Sequence, residues 1–165
     1  MIQPQSSHHD APYPPAGGNP GEPATITVET RFGAVVFGPK NIVTFPQGLV
    51  GMPQCRTFGL SPIPDPRMGQ FMLLQSLEDF ALSFLVLPLQ LGSNTVANED
   101  AKEACDALAI PVEDADFFTV VTLRKAEDGL KISVNMRAPI IVDSKSRTAR
   151  QYVLANPQYS IRHPL

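Results

Sequence analysis

Apolar and polar positions along this chain mostly follow a two-residue period. The clearest case is Leu130-Lys131-Ile132-Ser133-Val134-Asn135-Met136-Arg137, in which every even position is apolar and every odd one polar. Side chains alternate faces along a strand, so the octet predicts a half-buried β-strand with one wet face. Thr25 to Thr30 alternates in the same way and is rich in β-branched residues, a strand signal. Ala34 to Phe37 follows at once and predicts a hairpin about Arg31-Phe32-Gly33. Asn41 to Pro46 and Thr57 to Leu60 are further strand candidates.

Other runs are apolar on both parities. Phe71 to Ser76 and Ala81 to Leu87 read as core strands joined by an acidic tip, Leu77-Glu78-Asp79-Phe80. Phe117 to Arg124 pairs with the alternating octet about Glu127-Asp128-Gly129, a good hairpin loop. Beyond it lie Ala138-Pro139, a buried-looking Ile140-Ile141-Val142, a polar turn from Asp143 to Arg147, and a strand-like run from Gln151 to Leu154.

Only one segment has helical spacing, from about Asn98 to Ala109. Asn98 is the expected N-cap, Glu99 and Asp100 suit the first turn, and Ala101, Ala104, Cys105 and Leu108 share a face. Pro111 is expected to end it. About eight to ten short strands and one helix predict a mainly β fold, a small antiparallel barrel-like one, because an open sheet would leave edges exposed.

Composition changes this picture at the N-terminus. Residues 1–23 hold six prolines and three glycines with almost nothing apolar, so residues 1–24 are expected to be a disordered tail. His8-His9 within it makes a poor metal site. Residues 25–165 are expected to be a single domain. Apolar stretches are too short and too polar to cross ~30 Å of hydrocarbon. No basic region followed by an apolar run opens the chain, and a cytoplasmic protein is the expectation. Cys55 and Cys105 are the two cysteines; their spacing suits neither zinc nor a redox pair, and buried free thiols are expected.

Two glycines and two prolines in Pro46-Gln47-Gly48-Leu49-Val50-Gly51-Met52-Pro53 predict a tight, shaped loop. With ITVET, FMLLQSLEDFALSFLVLP, VNMRAPIIVD and RQYVLANPQYSIRHPL in this order and spacing, the chain resembles the FliW family of flagellar assembly factors over some 140 residues. It departs from the family pattern in carrying Asp143 for Asn, Ala149 for Gly, and Met52 for an aromatic.

The residues themselves do not spell an active site. The histidines are His8, His9 and His163, with no glycine-bracketed nucleophile nearby. Neighbouring Glu78 and Asp79 point in different directions and make a poor acid–base pair. Gly48 and Gly51 open no helix and precede no Lys or Ser/Thr, which excludes a phosphate loop. A binding protein without catalytic residues, metal or cofactor is expected.

Charge is unevenly spread. Residues 1–123 hold five Lys/Arg and thirteen Asp/Glu, a balance of −8, and residues 124–165 hold eight and three, or +5. The basic third alternates with apolar residues and lacks interleaved aromatics, so no direct nucleic-acid partner is expected. A small-barrel RNA-binding module acting directly on mRNA is the alternative, and an enzyme with a ligand in the barrel mouth a third.

The resemblance implies two partners, flagellin and the RNA-binding translational regulator CsrA, which such proteins antagonise. An acidic body beside a basic RNA groove would lower the local positive potential and so expel RNA. Glu78, Asp79 and the Glu99/Asp100/Glu103 cluster are candidates for that field. A flagellin terminal segment would be captured at a barrel end with exposed apolar residues. Gln47, Leu49 and Val50 in the shaped loop, and exposed faces around Asn135, Arg137 and Pro139, are the candidate contacts. Leu49 and Val50 also suit the bland role of plugs closing the barrel. No membrane partner and a monomeric state are expected.

Overall fold

The computed structural model describes residues 24–92 and 95–165. The expected tail, with His8-His9, lies outside the described residues apart from Ala24. Eleven strands and one α-helix follow in the order β1 (Ile26–Thr30), β2 (Gly33–Phe37), β3 (Ile42–Thr44), β4 (Thr57–Pro62), β5 (Met72–Ser76), β6 (Ser83–Leu89), α1 (Asn98–Leu108), β7 (Ala115–Ala126), β8 (Gly129–Val134), β9 (Ile140–Asp143), β10 (Thr148–Gln151) and β11 (His163–Pro164).

Seven strands close into a ring. β7 pairs with β6, then β5, β4 and β3 follow as antiparallel neighbours; β3 meets β10, β10 meets β9, and β9 returns to β7 through Ala115↔Asp143 to Phe118↔Ile140. The β3–β10 seam is parallel and thin, one paired position at Thr148↔Thr44, supported by the Thr44 N–H donating to the Arg147 carbonyl at 2.9 Å. β7 is long enough for two tasks. Its first part belongs to the ring, and Val121 to Ala126 project into a hairpin with β8, whose other edge pairs with β11.

Alternation along the ring strands builds two cores. Leu74, Val86, Phe118, Ile140 and Val142 join Val43, Phe45 and Phe58 in one buried cluster, the barrel interior. Their neighbours Leu73, Leu85, Phe117 and Ile141 belong to a second cluster outside the ring. There they are covered by Val28, Val35 and Phe37 of the β1–β2 hairpin, by Ala101, Ala104 and Cys105 of α1, and by Leu154 and Tyr159 of the C-terminal segment. Strands buried on both faces explain the apolar runs without alternation. Phe45 and Phe58 meet edge to face at 5.1 Å, and the interior keeps a void of only about 10 Å³. That is at most room for one water, so among the described residues this void is too small for a ligand.

The structure corrects several boundaries. Ala97, not Asn98, is the N-cap of α1, and it makes no side-chain cap. The Tyr159 hydroxyl accepts the Ala97 N–H instead, at 3.0 Å. At the other end Ala109 adopts a left-handed conformation, and the Ile110 N–H returns to the Cys105 carbonyl, so the helix closes before Pro111 acts. The octet is a strand only to Val134. Asn135 Oδ1 accepts from the N–H groups of Arg137 and Ala138 and turns the chain. Val134 and Met136 are buried as expected, but Leu130 is 60% exposed, because the hairpin tip runs past the outer layer. The last ring strand is Thr148–Gln151 rather than Gln151–Leu154. Beyond Gln151 the chain makes isolated bonds, Tyr152 N–H to Pro139 and Leu154 N–H to Arg137, instead of a ladder.

Candidate functional site

The shaped loop between β3 and β4, the β5–β6 tip, the end of β10 and the crossing from β8 to β9 gather around one mouth of the barrel. This follows from strand direction, since β3, β5 and β10 run toward that mouth and β4, β6 and β9 run away from it.

Gly48 has φ +67°, and a Cβ there would stand 2.5 Å from the Met52 carbonyl oxygen. The Met52 N–H returns to the Leu49 carbonyl at 2.8 Å, a turn whose third position, Gly51, takes positive φ, while Gly48 with its own positive φ ends the preceding turn from Phe45. The loop drives Leu49 into the interior, 5% exposed, and leaves the next residue, Val50, 67% exposed. Leu49 is thus a plug, while Val50 stands free.

Two side chains brace the loop against its neighbours. Gln151 Oε1 accepts the Val50 N–H at 3.1 Å, while its Nε2 donates to the Ala138 carbonyl at 3.1 Å. On the other flank, Glu78 Oε2 accepts the N–H groups of Arg56 at 2.6 Å and Thr57 at 2.9 Å. These bonds, that of Thr57 foremost, hold the Glu78 carboxyl below its ordinary range. Asp79 accepts the Ala81 N–H. Buried Gln75 donates to the carbonyls of Ser76, Phe80 and Leu82, which fixes the tip and presents Phe80, 58% exposed.

Between these braces runs a groove of about 330 Å³, lined by Leu49, Val50, Met52, Phe84, Val120, Thr122, Asn135, Gln151 and Ile161. A smaller depression of about 120 Å³ adjoins it across Leu49, Val50 and Gln151, and takes in Gln47, Gly48 and Arg150. Of the expected contact residues, Gln47, Leu49, Val50 and Asn135 line one or the other. Arg137 and Pro139 do not present the exposed faces expected of them. Pro139 is buried and Arg137 half-buried, its Nε donating to the Leu154 carbonyl at 3.1 Å. Both are spent on holding the crossing segment to the C-terminal one.

The acidic candidates are also partly committed. Asp100 accepts hydrogen bonds from the Tyr159 hydroxyl and from Asn156 Nδ2, tying α1 to the C-terminal segment, while Glu99 and Glu103 remain exposed. Burial, followed by the bond to Asp100, pushes the Tyr159 hydroxyl above its ordinary range. Both thiols are free and buried, as expected, and burial raises that of Cys105.

Met52, Phe84, Val120, Thr122, Gln151 and Ile161 were not among the sequence-derived contacts. Ile161, 63% exposed, is the only one with a linear signal, an aliphatic residue in a polar tail. The groove wall combines aliphatic side chains with Met52, Phe84, the Thr122 hydroxyl and the amides of Asn135 and Gln151, a surface suited to an apolar partner. Among the described residues no helix is long and apolar enough to cross a membrane. The turn residue Asp143 uses its carboxylate fully, accepting from Lys145 N–H, Ser146 N–H and Ser146 Oγ.

Comparison with known proteins bears on this geometry. Residues 26–165 match the family model described as FliW protein. The chain is 34% identical over 141 residues to a flagellar assembly factor FliW of Bdellovibrio bacteriovorus, covering 85% of this chain and 78% of that one. It is 32% identical over 140 residues to a protein of the same name from Syntrophotalea carbinolica, covering 84% and 96%. A crystal structure of the flagellar assembly factor FliW superposes with a TM-score of 0.60 at 24% identity, over 86% of this chain and 96% of that one.

Proposed function

Since the chain belongs to the FliW family of flagellar assembly factors, we propose that it is a cytoplasmic binding protein that captures flagellin and, when free of it, antagonises the translational regulator CsrA. Flagellin synthesis is thereby coupled to filament assembly. The observation that carries this reading is the division of the barrel. Its interior is filled to within about 10 Å³, while one mouth exposes Val50 and Ile161 beside a 330 Å³ groove. A protein so built works through its exterior.

A flagellin terminal segment, disordered until the filament assembles, supplies an amphipathic helix that can lay its apolar stripe in such a groove. Antagonism of CsrA falls to the neighbouring acidic tip, where Glu78 and Asp79 would lower the positive potential that RNA phosphates need. Isosteric Glu78→Gln with Asp79→Asn keeps the carbonyl acceptors of the tip and removes two charges. RNA release from CsrA by this variant is expected to weaken, most at low salt; unchanged release across a salt series discards the acidic-tip role. Pull-downs with purified flagellin and CsrA, separately and together, test the whole reading. Capture of each alone and exclusion of one by the other is the expected result.

A further inference from the structure

The groove is lined mostly by apolar side chains, with Thr122, Asn135 and Gln151 among them, and three arginines lie next to lining residues in the chain or on the same strand. Val120 and Thr122 line it from β7, and Arg124 continues the same strand face two residues further on. Arg162 follows the lining residue Ile161, and Arg150 lines the adjoining depression. Among the described residues no carboxylate lines either cavity. Among the described residues, the side chains of Arg124, Arg150 and Arg162 have no ion pair and no hydrogen bond. Lys131, which pairs across from Arg124, is the nearby cation already matched, by Asp128 at 3.4 Å.

We infer that this groove takes an amphipathic helix whose apolar stripe is flanked by acidic residues, the stripe against Val50, Met52, Phe84, Val120 and Ile161 and the acids against Arg124, Arg150 and Arg162. The inference rests on the reading of this mouth as the partner-binding end and specifies the chemistry of what binds there. Guanidinium groups match carboxylates in fork geometry, and charges at the edge of a largely apolar groove set orientation and encounter rate more than affinity. An RNA strand fits less well. Among the described residues one aromatic ring, Phe84, lines the groove, beside aliphatic side chains, Met52, Thr122 and the amides of Asn135 and Gln151, so successive bases would find no stacking platform.

The test uses three labelled synthetic helices with leucine at i, i+3, i+4 and i+7, flanked by glutamate, glutamine or lysine, measured by fluorescence anisotropy against the full chain. The glutamate helix is expected to bind about tenfold tighter than the glutamine one at low salt, the gap closing near 0.5 M salt as charges are screened. Val50→Asp or Ile161→Asp, both at exposed positions, is expected to abolish binding with the melting temperature kept. Arg124→Glu, Arg150→Glu and Arg162→Glu combined are expected to turn the preference toward the lysine helix. Equal binding of all three helices, indifference to Val50→Asp, or displacement by a single-stranded RNA oligonucleotide overturns the inference. Flagellin captured equally by wild type and Val50→Asp refutes the groove while leaving the proposed function standing. Binding of the glutamate helix without any capture of flagellin does the reverse.

Discussion

The Phe37 ring lies across Gly59 so closely that a Cβ on Gly59 would stand 2.2 Å from its Cδ1. Phe37 comes from the outer hairpin and Gly59 from the barrel wall, and this contact seats one on the other. The glycine is there for close approach rather than for a turn.

Gly59→Ala is therefore expected to lower stability by about 1–3 kcal/mol, the usual cost of overpacking a filled site. Phe37→Leu should recover part of that loss, and the two changes together should cost less than their sum. Urea unfolding of wild type and the three variants reads it directly. A neutral Gly59→Ala would mean that the hairpin is not seated as described.

Acid stability should report on Glu78. Its carboxyl, held below its ordinary 4.5 by the N–H groups of Thr57 and Arg56, binds protons less readily folded than unfolded. The stabilisation is complete above about pH 4.5 and is lost as pH falls through the lower folded value. Glu78→Gln is expected to lower stability by a near-constant amount from pH 6 to 8 and to flatten the stability–pH curve in the acid window, where variant and wild type converge. Asp143, lowered by Ser146 and Lys145, acts in the same direction, so some acid slope remains.

Tyr159→Phe removes the acceptor of the Ala97 N–H and the donor to Asp100. A loss of about 1 kcal/mol is expected, with faster amide exchange confined to the start of α1. At high pH the sign reverses from the carboxyl case. The Tyr159 hydroxyl is raised above its ordinary 10, so its contribution is whole below pH 10 and is lost as pH rises through the folded value. The phenylalanine variant should lack that alkaline loss.

Leu49 and Val50 are adjacent yet should behave as opposites. Leu49→Asp buries a carboxylate in the barrel plug and is expected to cost about 3 kcal/mol or more. Val50→Asp lies on the surface and is expected to cost within about 0.5 kcal/mol. Thermal melts of both variants check this, and only Val50→Asp is then a clean probe of binding.

Local pattern made most strands legible. β1 with β2, β5 with β6 and β7 with β8 each carry their own turn, so sequence neighbours are also partners. Ring closure was not legible in this way. β10 pairs once with β3 across a parallel seam, and no turn or period marks Thr148 as the position that does it. The helix residues were readable from their apolar face, but the true cap, Tyr159, lies 62 residues from Ala97. At the mouth, loop chemistry identified Gly48 and Gly51 as shape-setting. Pro139 and Arg137 misled because an exposed-looking turn is folded under the C-terminal segment. The groove itself draws on β6, β7, β10, the early loop and the tail, and only the closed barrel brings these together.

Capture of purified flagellin by wild type and by Val50→Asp, side by side with melting curves, tests the account most directly. Wild type should retain flagellin, and Val50→Asp should lose it while melting at the wild-type temperature. Equal retention by both folded proteins would contradict the groove as the binding site, and no retention by wild type would contradict flagellin capture itself.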